Sequence, residues 1–209
     1  MIPPPFAQLP LILASASPRR RDLMTEAGYD FEIIVAGVEE VHDERAALHE
    51  LTIANARSKA RHISRQHPGR LVIGADTLVA IAGCALTKPA DMAEARSMIA
   101  RLAGRSHEVC TSVALLCEDA GIERCFEVVT RVTFKPLDAA ERDEYLALIN
   151  PLDKAGGYAA QEHGDRIIAG VEGSWTNVVG LPMEALAAEL AALGIAPKKE
   201  TGASRQPVS

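Results

Sequence analysis

The runs HEVCTSVALLC (107–117) and CFEVVTRVTF (125–134) are each long enough to cross a sheet, and only the seven residues EDAGIER separate them. A parallel pair needs a crossover of a dozen or more residues, so these two form an antiparallel hairpin. Elsewhere strand and helix patterns alternate. LILA (11–14), FEIIVA (31–36), RLVIGAD with TLVAIAG (70–83, Gly83 at a turn) and RIIAGVEG (166–173) read as strands. Helices are expected over Pro18–Ala27, about Glu44–Gln66, Asp91–Gly104, Asp138 to about Ile149, and Leu181–Gly194. Ser17, Asp91 and Asp138 are the expected N-caps, with Glu94 and Glu141 completing capping boxes. A hairpin beside strand–helix–strand units requires both kinds of pairing in one sheet. The fold class is therefore α/β, a mixed twisted sheet flanked by helices. The domain spans 11–196, after an N-terminal extension of residues 1–10. The stretch 197–209 has no apolar period and reads as a disordered tail.

At 209 residues the chain suits one generous domain or two lobes sharing a core. Its net charge of -6 argues against a nucleic-acid polymer or an anionic membrane as partner. No apolar run is long enough to span a bilayer, and MIPPPFAQLP lacks the basic and apolar regions of a signal peptide, so a cytoplasmic location is expected. Cys84, Cys110, Cys117 and Cys125 have no zinc-type spacing and read as reduced thiols.

Four polar places are not required by packing. In LILASASPRRRDLM a strand runs into a helix whose first turn carries Arg19, Arg20 and Arg21. Each cation there opposes the helix dipole by roughly 0.3–1 kcal/mol. A bound phosphate offsets this, since one charge-assisted hydrogen bond contributes about 1.5–3 kcal/mol. Successive residues point about 100° apart, so Arg19 and Arg20 face such a ligand and Arg21 is solvated. Ordinary surface charge is the competing reading. The second place is GVEEVHDE (37–44), either a solvated acidic loop or a hard-cation site for Mg²⁺ or Mn²⁺. The third pairs Lys59, within the apolar stripe Leu48, Thr52, Ile63, with Lys88 in LTKPAD; a lysine in such a stripe snorkels or meets an anion. The fourth is Asp76, read as ending the apolar strand VIGAD and followed by Thr77. A buried aspartate needs a partner, and ligands gather at strand ends in α/β sheets.

SASPRR, GVEE, ARSKA, GADT, TKPAD, PLDKAGGYAAQ and VVGLP follow one another in the order found in the Maf family of nucleotide pyrophosphatases, which the chain resembles from about Leu11 to Leu193. The resemblance implies two lobes around a central cleft and a homodimer. It also implies metal-dependent hydrolysis of a nucleoside triphosphate to monophosphate and diphosphate. Carried over motif by motif, Asp76 matches the proton acceptor, and Arg19, Thr77 and Gln161 match positions governing substrate choice. Ser15, Arg20, Lys59 and Lys88 match residues lining the phosphate end. Glu40 matches an acid linked to metal or catalysis. The divalent ion, Mg²⁺ or Mn²⁺, would be held by Glu40 and Asp76; whether Asp76 is base or ligand stays open.

Gln161 offers an acceptor and a donor side by side, complementary to the N3–H and carbonyl of uracil or thymine. The resemblance is accordingly to the dTTP/UTP-directed branch, with house-cleaning of non-standard nucleotides as a wider role. A 7-methyl-GTP pyrophosphatase and a nucleotide-sensing regulator of septum formation are the alternatives. Glu162 stands where the family commonly has glycine, favouring a purine if it enters the pocket. Asn150 replaces a common glutamate before Pro151, which is expected to loosen the loop carrying Lys154.

Overall fold

The computed structural model describes residues 9–41 and 48–198. Among them, one sheet holds β1 (Leu11–Leu13), β2 (Phe31–Ile33), β3 (Val72–Ile81), β4 (Cys84–Leu86), β5 (Ser106–Cys117), β6 (Ile122–Phe134) and β7 (Ile168–Glu172). The strand order is β2-β1-β3-β5-β6-β7, with β4 paired to the far end of β3. β1 lies parallel to β2 and β3, and every other pairing is antiparallel. The expected hairpin is β5–β6, in register from Ser106↔Thr133 to Cys117↔Ile122. The helices are α1 (Pro18–Glu26), α2 (Leu48–Ser64), α3 (Met92–Leu102), α4 (Ala139–Leu146), α5 (Gly164–Ile167), α6 (Trp175–Val179) and α7 (Met183–Ala192).

Alternate residues of a strand face opposite sides, and the long strands use this to carry separate cores. Ile73, Ala75, Val113 and Leu115 pack against Leu23 and Met24 of α1 and Leu186 and Leu190 of α7. Farther along the same face, Val79, Ile81, Val109 and Val132 pack against Ile99 and Leu102 of α3 and Tyr145 of α4. Thr77 falls between these two clusters. The opposite face is covered by α2, whose Ala56, Ala60 and Ile63 meet Val72, Ala114 and Leu116.

Several expectations change. RLVIGAD and TLVAIAG are one strand, so Asp76 lies in the middle of β3 and not at its end. β1, however, pairs only with Val72 and Ile73, whereas β5 accompanies β3 from Val72 to Ala80. Asp76 therefore stands just past the carboxyl end of β1, where the parallel part of the sheet stops. Ser17 occupies the N-cap of α1, but its side chain makes no capping bond there; its N–H instead donates to Ser15 Oγ at 3.2 Å. Glu94 reaches past Asp91 to the Ala90 N–H, whereas the box of Asp138 and Glu141 is complete. α4 stops at Leu146, and Arg166 and Ile167 belong to α5 rather than to a strand. The three-residue β4 and five-residue α6 are too short to show a period. Lys198, assigned to the tail, donates its N–H to Gly28 O at 2.8 Å. His42, Asp43 and Glu44 of the acidic run, residues 1–8 and residues 199–209 lie outside the described residues. Cys110 and Cys117 are buried free thiols, Cys125 is partly exposed and Cys84 is exposed.

His107 is buried against Phe134 and Tyr158, and burial pushes its pKa down to about 4. Its Nε2 meets the Tyr158 hydroxyl at 2.9 Å, while Nδ1 has no partner among the described residues. Between about pH 6.5 and pH 4 the unfolded chain binds a proton here that the folded chain does not. Stability therefore falls as pH falls through that window, by on the order of 3 kcal/mol for the shift as a whole. Urea unfolding at pH 7 and pH 4.5 should show the loss in the native protein and a smaller one in His107→Gln. Equal losses in both would remove His107 as the cause.

Candidate active site

The site begins with a close approach. Gly74 lets α2 lie directly on β3, and the small Ala56 and Ala60 face the contact. At that spacing the buried stripe Thr52, Asn55 and Lys59 reaches the sheet. Thr52 shares a 2.7 Å hydrogen bond with Ser112 Oγ. Asn55 Nδ2 donates to Asp76 Oδ2 at 3.2 Å. Its orientation is set by Val41, whose N–H it accepts at 2.8 Å and to whose carbonyl it donates at 3.2 Å. Lys59 Nζ is 2.8 Å from Asp76 Oδ1, 2.6 Å from Glu40 Oε1 and 3.4 Å from Ala75 O. The lysine does not snorkel; it meets two acids. Asp76 thus has partners on both oxygens, which is what allows a carboxylate in mid-strand.

A second cluster adjoins the first through Ala75. Arg20 donates from Nη1 to Ala75 O at 2.9 Å and to Ser15 Oγ at 3.2 Å. It also donates from Nη2 to Thr77 Oγ1 at 3.0 Å and from Nε to Gly180 O at 2.8 Å. Thr77 Oγ1 in turn shares a 2.9 Å bond with Thr111 Oγ1. Burial pulls the Arg20 pKa below its ordinary value, opposed by Asp76 and Glu40 and reinforced by Arg19. Arg20 therefore finds protein carbonyls and hydroxyls as partners. It ties the turn after β1, the middle of β3 and the turn after α6 into one unit. Arg19 points elsewhere, to Asp153 Oδ2 at 3.3 Å. Arg21 pairs with Asp22 and is half exposed, as expected of a solvated charge.

The segment 150–162 completes the surroundings. Lys154, with its side chain 6% exposed, donates to Asn150 O and Asp153 Oδ1, both at 2.8 Å, and lies 3.6 Å from Glu162 Oε1. Burial works to raise the Asp153 pKa, but Lys154 and Arg19 outweigh it and hold the carboxyl below its ordinary value. At Asn150 the backbone carbonyl holds Lys154 and Oδ1 accepts the Leu152 N–H at 3.3 Å. The Gly156 N–H donates to Thr87 O at 3.1 Å, which ties the segment to the turn bearing Lys88. Gly156 has φ +72 and packs against Val79, a conformation and a fit that glycine supplies. Gln161 is exposed at the end of the segment and Lys88 is exposed on its own turn; among the described residues no hydrogen bond or ion pair is seen from either to Lys59 or Asp76.

Of the residues singled out in the sequence, Glu40, Lys59 and Asp76 are in direct contact, as are Ser15, Arg20 and Thr77, and Ala75 joins the two sets. Asn55, Thr111, Asp153 and Lys154 were not anticipated as parts of the site. Asn55 lies four residues before Lys59 on the same helical face, and Asp153 and Lys154 stand inside the PLDKAGGYAAQ motif, from which only Gln161 was taken as a site residue.

The Maf-like protein family matches residues 10–193. A dTTP/UTP pyrophosphatase of Akkermansia muciniphila is 47% identical over 174 residues, covering 83% of this chain and 91% of its own. One of Myxococcus xanthus is 43% identical over 185 residues, covering 88% and 93%. The structure of the Staphylococcus aureus Ham1 protein aligns with a TM-score of 0.52 at 14% identity, covering 88% of this chain and 99% of that one, a likeness of fold. With all of its described sheet, and every residue of the two joined clusters, inside the matched span, the chain belongs to the Maf family.

Proposed function

We propose that this protein hydrolyses pyrimidine nucleoside triphosphates, dTTP and UTP foremost, to the nucleoside monophosphate and diphosphate. The observation that carries the reading is the Lys59 ammonium clasped by Glu40 and Asp76 beside the anchored Arg20. It concentrates acids and cations where the parallel strands end, as a nucleotide's charged tail requires. The names of the relatives point to the same reaction.

Glu40 and Asp76 bring two carboxylates together around Lys59, and carboxylate oxygens are the donors a Mg²⁺ or Mn²⁺ ion would take. Among the described residues no group of three or more acids, histidines or cysteines gathers; Glu40 and Asp76 are the carboxylates that would hold the ion. When bound, the ion would neutralise phosphate charge and acidify water. In this reading Asp76 takes the proton of the attacking water. Lys59 holds it in orientation and, with Arg19 and Lys88, balances the charge of the departing diphosphate. Arg20 and Ser15 keep the turn after β1 at its station, and Thr77 and Gln161 meet the nucleoside. Glu162 is drawn toward Lys154, leaving the Gln161 amide to read the base.

The family resemblance carries a homodimer into this reading, and the sequence carries a cytoplasmic location. Among the described residues no helix is long and apolar enough to cross a membrane.

Product analysis tests the proposal. With Mg²⁺ or Mn²⁺, UTP should give UMP and diphosphate. UDP and phosphate would make the protein a terminal phosphatase, and tight binding without release would make it a sensor. Hydrolysis of 7-methyl-GTP much faster than of UTP or dTTP would overturn the base assignment.

A further inference from the structure

The turn bearing Gln161 belongs to no long element, yet the residues just before it are fixed from beneath. Tyr145, on α4, is fully buried. Its hydroxyl accepts the Ala159 N–H at 2.9 Å and donates to the Ala159 carbonyl at 3.0 Å. One phenol thus satisfies both backbone groups of a buried residue two places before Gln161. The neighbouring Tyr158 hydroxyl meets His107 Nε2 at 2.9 Å, and its ring stands edge-on to Phe134 and His107. Beyond these anchors Gln161, Glu162 and His163 are exposed, and His163 takes a left-handed φ of 58 to enter α5.

We propose that Tyr145 is a positioning residue for base recognition, holding Ala159 so that the turn after it presents the Gln161 amide to the pyrimidine edge. The inference rests on the reading of Gln161 as the group that meets the base. Paired hydrogen bonds to a base edge need their donor and acceptor placed within about 0.5 Å. Without the hydroxyl, the Ala159 N–H and C=O are buried and unpaired, which is costly enough to draw the segment toward water. Gln161 moves with it. The Asp76, Lys59 and Glu40 cluster is held by α2 and β3 and does not pass through Tyr145. The loss should therefore fall on base-dependent affinity rather than on the chemical step.

Tyr145→Phe keeps the ring and removes only the hydroxyl. The KM for UTP should rise about tenfold, the worth of roughly one lost hydrogen-bond pairing, with kcat changed by less than about threefold and the preference for UTP over GTP reduced in proportion. In a Gln161→Ala background, Tyr145→Phe should cause no further loss of that preference, because the two act through one contact. An undiminished preference in Tyr145→Phe, where Gln161→Ala does diminish it, overturns the positioning role alone. A preference that survives Gln161→Ala overturns the base-reading assignment and this inference with it. An equal fall in kcat for every substrate marks Tyr145 as structural only and also overturns it. If Tyr145→Phe does not fold, Tyr158→Phe frees the adjacent residue from His107. It should show the same KM-weighted loss at smaller amplitude, and an unaltered preference there overturns the proposal.

Discussion

Asp76→Asn should abolish nearly all diphosphate release from UTP, by about 10²–10⁴-fold, while the protein stays folded. The substitution keeps the size of the side chain and removes its charge and basicity. An amide oxygen can still face Lys59 Nζ, which also retains Glu40 at 2.6 Å. The other half of the new amide is an NH₂ facing Asn55 Nδ2, and Asn55 cannot turn over to accept from it. Its Oδ1 already takes the Val41 N–H and its Nδ2 already serves the Val41 carbonyl. The facing N–H groups of both amides are left without acceptors, so the variant should lose at least about 1–3 kcal/mol of stability. Steady-state assays beside urea denaturation separate the two effects. A folded variant with near-native turnover would strip Asp76 of its role and leave the paired acids without a catalytic account.

How much of this was legible follows from which forces each residue answers to. Lys59 and Asp76 announced themselves because an ion within an apolar pattern demands a partner, and each supplies the other's. The β5–β6 hairpin was legible because seven residues leave only one way to pair long strands. Asp76 was misplaced within its strand because a carboxylate reads as a terminus until its partners are known. Those partners come from a helix whose approach depends on Gly74, and nothing local to GAD reveals that. Arg20 was read as facing a ligand, yet the Ala75 and Gly180 carbonyls take its protons. Backbone acceptors carry no residue signature, so only the fold could show it. Lys154 is similar: the Asn150 carbonyl draws it inward, and that acceptor too is backbone.

The largest effect on stability should come from a single methyl group, Gly74→Ala. A Cβ there would lie 2.2 Å from Ala56 O, 2.9 Å from Ala60 N and 3.0 Å from Ala60 Cβ. Two of the three are backbone atoms of α2, which no rotamer change can move aside. A carbon and a carbonyl oxygen settle at about 3.3–3.6 Å, so the helix must retreat by roughly 1 Å. The retreat loosens the Ala56, Ala60 and Ile63 packing and stretches the Asn55 and Lys59 contacts to Asp76 together. Overpacking alone costs about 1–3 kcal/mol, and the stretched buried ion pair brings the expected loss to about 3–5 kcal/mol. Turnover should fall as well, even at temperatures where the variant remains folded, because Asp76 is no longer held. Gly37→Ala is the matched control, since a Cβ at that position meets nothing within 4 Å. Urea unfolding of both variants decides the matter. If Gly74→Ala matches Gly37→Ala to within about 0.5 kcal/mol, the close approach of α2 to β3 is not what brings lysine and aspartate together.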